Sequence, residues 1–196
     1  MAKCRSKLPV TCILTLLAAL AAGPASASDL HLVGRMGIDG GGDRLAKVTM
    51  SDGSSQTITA GGLFTIGAGL VYMPRAAPIA VEATLGYKVD DITASNGSMK
   101  FSRWPIELLA SYVLERHRIG GGLAQHRSPT FACSVSGVCS GSTKAPAALG
   151  AVAQYGYGDY SGQFVWDIGL RLTFINYKFA EKISGNSVGG FVSFGF

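Results

Sequence analysis

The sequence has no apolar run long enough to cross a membrane as a helix. Its longest run, from Leu8 to Ala22, has 15 residues and contains Pro9, whereas a spanning helix needs roughly 20 apolar residues. Charged residues are also few, with 12 Asp and Glu and 17 Lys and Arg. The mean hydropathy is nevertheless positive, at +0.29. The apolar residues are therefore spread over many short segments, which excludes a helical membrane protein.

The N-terminal apolar run has the features of a cleaved leader. Three cations stand within the first seven residues, and the small-residue triplet 25–27 follows the run. This order predicts a signal peptide over residues 1–27, with cleavage between Ala27 and Ser28. A membrane anchor is the alternative, but the run is too short to span a bilayer. We expect one mature domain, residues 28–196.

The mature chain lacks the charge that a nucleic-acid partner needs. The formal net charge of +5 includes the three leader cations, so removal of the leader leaves +2. No basic stripe remains to neutralise phosphates. We therefore expect no nucleic-acid partner.

Cysteine is scarce as well, because only Cys133 and Cys139 lie outside the predicted leader. A close pair among Ser and Gly residues in an exported protein predicts a disulfide. The alternative is a metal site, but the local sequence offers no further ligand. We expect neither a metal nor another cofactor.

In eight segments of the mature chain, apolar side chains alternate with small, polar or charged ones at every second position. Segment 79–90 is the clearest, because every second residue from Ile79 to Val89 is apolar. This alternation is typical of β-strands with one face in an apolar environment. The predicted strands are 30–39, 62–72, 79–90, 103–114, 118–126, 147–157, 164–174 and 188–196.

The connections between these strands alternate strictly between long and short. The long, polar connections are 40–61, 91–102, 127–146 and 178–187. The short connections are 73–78, 115–117 and 158–163. This arrangement predicts an up-and-down barrel with both termini at the end that carries the short turns.

Two environments fit an eight-stranded barrel. In a soluble, lipocalin-like barrel the large apolar side chains would point inward and charges would cover the outside. The small and charged set of this chain is too small to cover a soluble barrel, as on 164–174, where it includes Asp167 and Arg171. The sequence therefore favours an all-β fold, an eight-stranded antiparallel up-and-down transmembrane β-barrel.

The inward faces of the predicted strands collect ionisable side chains. Eight strands enclose a lumen that side chains just fill, and buried charges there are expected to pair. The main prediction is a structural network of ion pairs, and the alternative is a gated ion path. A wide diffusion pore is not expected. The predicted interior charges are Arg35, Glu82, Lys88, Arg103, Glu107, Asp167 and Arg171.

His126 and Ser128 form the best candidate for a catalytic pair. Some outer-membrane barrels are lipid A deacylases with a His-x-Ser arrangement, which this spacing resembles. A working pair also needs an acidic residue to orient the histidine, and no Asp or Glu occurs between Glu115 and Asp159. Pro129 also replaces the Asn expected after the serine. We expect no catalytic residue and keep a lipid A acyl hydrolase as the alternative.

The predicted strand 188–196 ends on Phe196, with Phe194 on the same face. Such a strand resembles the C-terminal strand of Gram-negative outer-membrane β-barrels, where the terminal Phe belongs to the signal read by the barrel-insertion machinery. Over the mature chain the resemblance is to the small eight-stranded group: the OmpA-type membrane domain and the OmpX-like and opacity-like surface proteins.

The resemblance implies a location and a class of role. It implies an outer-membrane protein with periplasmic termini and extracellular long loops, surrounded by phospholipid and lipopolysaccharide. The loops are then its surface for interaction with partners. It implies a non-enzymatic monomer that serves adhesion or envelope integrity, with a small passive channel as a further alternative. The partner of the loops is left open.

Overall fold

The computed structural model describes residues 29–49, 53, 55–94 and 97–196. The predicted signal peptide, residues 1–27, lies outside them. Within the described ranges no helix is both long and apolar enough to cross a membrane. The strands are β1 (Leu30–Gly40), β2 (Arg44–Thr49), β3 (Ser55–Thr59), β4 (Leu63–Tyr72), β5 (Ile79–Ala94), β6 (Gly97–Leu114), β7 (His117–Val135), β8 (Cys139–Lys144), β9 (Ala148–Asp159), β10 (Val165–Lys178), β11 (Lys182–Ser184) and β12 (Ser187–Gly195).

Eight of these strands close into one antiparallel barrel. Around the ring the order is β1, β4, β5, β6, β7, β9, β10 and β12, and each of these strands pairs with the next one in this order. Strand β12 then pairs with β1, from Val33 opposite Gly195 to Gly40 opposite Val188. The predicted fold class, an eight-stranded up-and-down barrel, is confirmed.

The long connections contain more strand than the sequence predicted. Connection 40–61 contains the hairpin β2–β3, and most of 91–102 continues β5 and β6 as a paired extension. The predicted strands 79–90 and 103–114 ended short of this extension, and no strand was predicted within 40–61. These segments hold apolar residues at inward positions, such as Ile58, Ile92 and Phe101. Those residues share a core, which stabilises pairing beyond the barrel wall.

The longest strand is β7, which the sequence predicted only over 118–126. The structure carries it through Arg127, Ser128 and Pro129 by a register shift opposite Ser102 and Trp104. Ser128 takes a φ of 48° at this irregularity, as a residue in a β-bulge does. The bulge absorbs the serine and proline, so a segment that was interpreted as a loop remains in the sheet.

The barrel wall is apolar outside and polar inside, which is the reverse of a soluble barrel. Along β10 the residues Ile168, Leu170 and Leu172 are exposed, whereas Asp167 and Arg171 are buried. Contiguous apolar patches of more than a few hundred Å² are rare on soluble monomers. The exposed belt includes Leu30, Leu32, Met36, Ile38, Phe64, Ile66, Leu70, Ile79, Leu85, Trp104, Ile106, Tyr112, Leu114, Ile119, Leu123, Leu149, Tyr155, Tyr157, Trp166, Ile168, Leu170, Leu172, Phe174, Val188 and Phe194.

Apolar clusters lie at both ends of the polar lumen. At the long-loop end the β2–β3 hairpin packs against the strand extensions, and the backbone N–H of Thr59 donates to Asp90 Oδ2 over 2.9 Å. At the short-turn end a smaller cluster contains Val33, Val71 and Ala80. The buried members of the cluster at the long-loop end are Ile58, Ala60, Ile92, Phe101, Ala148, Ile175 and Tyr177.

Candidate functional site

The main feature of the lumen is a continuous chain of alternating charges. Glu82 contacts two guanidiniums, those of Arg35 (Nη2–Oε1, 2.6 Å) and Arg118 (Nη1–Oε2, 3.2 Å). Arg118 Nη2 also lies 2.8 Å from Asp167 Oδ2. The three arginines and three carboxylates of this row, called the charge chain below, neutralise one another. Its order is Arg171, Glu107, Arg35, Glu82, Arg118 and Asp167.

Neutral side chains satisfy further atoms of the charge chain. Asp167 accepts hydrogen bonds from Ser193 and from the hydroxyl of Tyr160, the latter over 3.2 Å. Arg171 Nη1 donates to Gln154 Oε1 over 3.3 Å. Charge-assisted hydrogen bonds of this kind offset the cost of taking ionised groups out of water.

A second ion pair lies closer to the long-loop end. Lys88 Nζ is 3.0 Å from Asp39 Oδ2 and donates to Ser187 Oγ over 3.3 Å. The hydroxyl of Thr65 donates to the same Asp39 oxygen over 2.9 Å. This pair links β5 to β1 and, through Ser187, to β12.

Arg103 is the one sequence-predicted interior cation with a different environment. Its side chain is fully buried and its Nη2 donates to the carbonyl of Gly62 over 2.7 Å. The guanidinium also lies over the ring of Phe101, at 4.6 Å from the centroid. Within the described residues it makes no salt bridge, so a carbonyl and an aromatic face replace the carboxylate that we expected.

The structure adds two residues that the sequence analysis omitted from the interior network, Arg118 and Asp39. Both have inward parity on strands that were predicted, because their neighbours Ile119 and Ile38 are exposed. The alternation thus carried a signal for both. They stand at the ends of their predicted strands, 118–126 and 30–39.

The lumen between these groups is nearly full. The cavity there has a volume of about 30 Å³ and is lined by Arg35, Asp39, Lys88, Glu107 and Arg171, among others. A space of that size holds roughly two water molecules. Apolar clusters lie beyond it on both sides. This arrangement fits a plugged barrel.

His126 and Ser128 do not share a site. His126 is buried and its Nδ1 lies 2.6 Å from the hydroxyl of Tyr177, whose ring stacks on it, whereas Ser128 is exposed in the bulge. Tyr177 thus stands where a hydrolase would need a carboxylate to orient the histidine. Among the described residues, no group of three His, Cys, Asp or Glu side chains is arranged to hold a metal ion.

Cys133 and Cys139 form the predicted disulfide, with a Cα–Cα distance of 5.8 Å. The bond joins the end of β7 to the start of β8, in a hairpin that extends beyond the barrel wall. The disulfide therefore restrains the tip of this hairpin and does not connect two strands of the barrel wall.

Phe194 and Phe196 both face outward at the short-turn end. Phe194 stacks on Phe164 with ring centroids 6.2 Å apart. The backbone N–H of Phe196 donates to the carbonyl of Leu32 over 3.1 Å, and the N–H of Leu32 donates back over 2.9 Å. These bonds extend the β12–β1 pairing to the last residue of the sequence.

A closed barrel with an apolar belt outside and paired charges inside defines the class of this protein: it is a transmembrane β-barrel of the outer-membrane type. The class follows from the strand pairing and burial of this chain alone.

The similarities of this chain to known proteins are distant. No protein-family model matches the sequence, and no curated protein matches it. The fold is similar to the crystal structure of Neisserial surface protein A (NspA), with a TM-score of 0.48, 11% identity and coverage of 87% of this chain and 97% of that one. It is also similar to the N-terminal β-barrel domain of Pseudomonas aeruginosa OprF, with a TM-score of 0.38, 12% identity and coverage of 86% and 98%.

Proposed function

We propose that this chain is a non-enzymatic surface protein of the Gram-negative outer membrane, which acts through the end of the barrel that carries the long connections. In this proposal the short turns and both barrel termini face the periplasm, and the strand extensions face outside. The role is adhesion or support of envelope integrity. The predicted signal peptide supports export, and the belt supports insertion in a bilayer.

The inverted polarity of the barrel carries the proposal. Glu82 and Asp167 are buried inside, while Ile168 and Leu170 are exposed outside. A transmembrane barrel has an apolar outer band and a polar interior, whereas such exposure would promote aggregation of a soluble protein. Lipid is the environment that reconciles the two faces.

The contents of the lumen support a binding or structural role in place of transport. The charge chain and the apolar cluster around Phe101 fill the barrel. His126 is bonded to Tyr177, which speaks against a hydrolase at His126 and Ser128. The parts left for interaction are the strand extensions and hairpins beyond the wall.

The surroundings follow from the same proposal. Phospholipid covers the belt toward the short turns, and lipopolysaccharide covers it toward the extensions. Phe194 and Phe196 belong to the strand that the barrel-insertion machinery reads, and the barrel works as a monomer.

Epitope tags placed at the two ends of the barrel test the location and orientation. One tag is inserted after Gly137, at the tip of the β7–β8 hairpin, and the control tag after Arg75, in a short turn. Both are exposed turns that tolerate insertion. Antibody should stain the Gly137 tag on intact cells and the Arg75 tag only after the outer membrane is permeabilised. The opposite pattern, or a tagged protein recovered in the soluble fraction, overturns the proposal.

A further inference from the structure

Strand β8, Cys139–Lys144, is the edge of the sheet that extends beyond the barrel. Its partner among the described strands is β7, from Thr130 opposite Lys144 to Val135 opposite Cys139. Five of its six residues are exposed and the sixth is half-buried. At this end of the sheet the ladder of strands therefore stops at β8.

The hydrogen-bond pattern identifies which backbone groups of β8 point away from β7. The N–H of Ala145 donates to the carbonyl of its opposite residue, Pro129, over 2.8 Å. Directly opposite residues of an antiparallel pair alternate between bonded and non-bonded. The N–H and C=O groups of Ser140, Ser142 and Lys144 are therefore directed to the free edge.

Strand β10, which pairs with β9 on the side away from β7, does not cover this edge. The last pair between β10 and β9 joins Ile175 to Gly150. Continuation of that register would bring the turn 179–181 level with Lys144, so β10 reverses there and the rest of β8 rises above it. The other side of β10 is already paired, with β11.

Three lysines lie at the base of the free edge. Lys178 and Lys182 are directly opposite each other in the β10–β11 pair, and like charges at directly opposite positions destabilise a strand pair. Lys144 ends β8 at the same level, and all three are exposed. Two exposed carboxylates accompany these three cations, namely Glu181 in the turn between the two strands and Asp43, which is bonded to the backbone of β11. The surplus of positive charge matches an anionic partner.

We propose that the free edge of β8 binds an extended acidic peptide segment of another protein by β-strand addition. The peptide backbone pairs with Ser140, Ser142 and Lys144, and its carboxylates contact Lys178 and Lys182. Strand addition takes affinity from backbone hydrogen bonds and specificity from side chains. The proposal rests on the proposed function, because a protein partner reaches β8 only where the extensions face outside.

The hairpin is preorganised for this role. The Cys133–Cys139 disulfide bridges the strands next to their turn, so β8 is held in extended form before a partner arrives. A rigid receptor loses less conformational entropy on binding than a mobile loop. The edge is also unlike an aggregation-prone one, because its side chains are small and polar.

The test uses the full mature protein in lipid nanodiscs, which leave both ends of the barrel accessible. The probe is a fluorescent eight-residue peptide that alternates Glu and Val, and anisotropy reports its binding. The key variant is Ser142→Pro, which removes an edge N–H while the bonds to β7 stay intact; Ser142→Ala keeps that N–H and is the matched control. Heat-modifiable gel mobility verifies that each variant is folded.

We expect saturable binding that Ser142→Pro weakens about tenfold or more and Ser142→Ala leaves unchanged. The double variant Lys178→Gln/Lys182→Gln should weaken binding as well, and a Lys–Val peptide should not bind. Equal binding by the proline and alanine variants, or no binding by the wild type at about 1 mM peptide, overturns the proposal. Because nanodiscs impose no orientation, these failures are independent of the epitope-tag result.

Discussion

Arg35 and Glu82 form an ion pair of 2.6 Å between two strands, β1 and β5, that are not neighbours in the barrel. Strand β4 lies between them and pairs with both. The contact therefore crosses the lumen and ties two parts of the wall together. Glu82 also holds Arg118, so one carboxylate serves two buried guanidiniums.

Glu82→Gln is expected to destabilise the barrel strongly. The substitution keeps the size of the side chain but leaves Arg35, among the described residues, with Glu107 at 4.0 Å as its one carboxylate partner. Loss of one partner from a buried ion pair costs about 3–5 kcal/mol. Urea unfolding in lipid vesicles, followed by tryptophan fluorescence, measures the free energy of unfolding.

The matched control for that measurement is Arg75→Gln. Arg75 is 78% exposed and its Nε lies 3.6 Å from Asp29. An exposed pair contributes less than about 1 kcal/mol. Equal losses for Glu82→Gln and Arg75→Gln would show that the interior network does not stabilise the fold.

A cation on the outer wall tests whether the belt faces lipid. Leu170 is 62% exposed and lies near the middle of β10, so Leu170→Arg should destabilise the inserted barrel by about 2–4 kcal/mol. On a water-exposed wall the same change would stay within about 0.5 kcal/mol. The measurement is again unfolding in vesicles, and Val138→Arg at the hairpin tip, where Val138 is 72% exposed, should have no effect.

The alternation of side chains predicted the barrel wall well because period two is imposed by the strand itself. It placed Asp167 and Arg171 inside and Leu170 outside without any knowledge of contacts. The alternation did not predict which interior charges pair with each other. Arg35 lies next to Glu82 because of the stagger between the barrel strands, which sequence spacing does not show.

The strand extensions were missed for a different physical reason. The extensions are rich in Ser, Gly and Thr, so the alternation of apolar and polar side chains is weak in them. Strand pairing there depends on a shared core. Ile58 of β3 packs with Ile92 and Phe101 only once the hairpin has folded over the mouth of the barrel. A local pattern does not report a contact of that kind, so 40–61 was interpreted as a loop.

Ser128→Ala is expected to leave the lipid A of the outer membrane unchanged. His126 is bonded to Tyr177 over 2.6 Å, and Ser128 is exposed on the bulge, so the pair lacks the geometry of a nucleophile and its base. Mass spectrometry of lipid A from cells that express wild type, the variant or neither checks this. A difference in acylation between wild type and Ser128→Ala would establish the hydrolase.

The purified wild-type barrel should show no sustained ion conductance in a planar bilayer. The lumen cavity measures only about 30 Å³, and the apolar cluster around Phe101 and Tyr177 lies above it. Hydrated ions need a continuous water-filled path, and the small cavity and the apolar cluster found among the described residues do not form one. Stable open events in repeated insertions, absent from mock preparations, would instead support the passive channel.

Removal of the disulfide should loosen the β7–β8 hairpin and leave the barrel intact. The double substitution Cys133→Ser/Cys139→Ser opens a short ring that contributes on the order of 2 kcal/mol. Because this ring lies beyond the wall, the loss should appear as faster amide exchange over 130–144, measured by hydrogen-exchange mass spectrometry. The urea midpoint of the barrel should not change, since β7 keeps its pairs with β6 and β9. A fall in that midpoint would show that the hairpin and the barrel unfold as one unit. Weaker binding of the Glu–Val peptide by this variant, at unchanged barrel stability, is expected if β8 must be held extended to receive a partner.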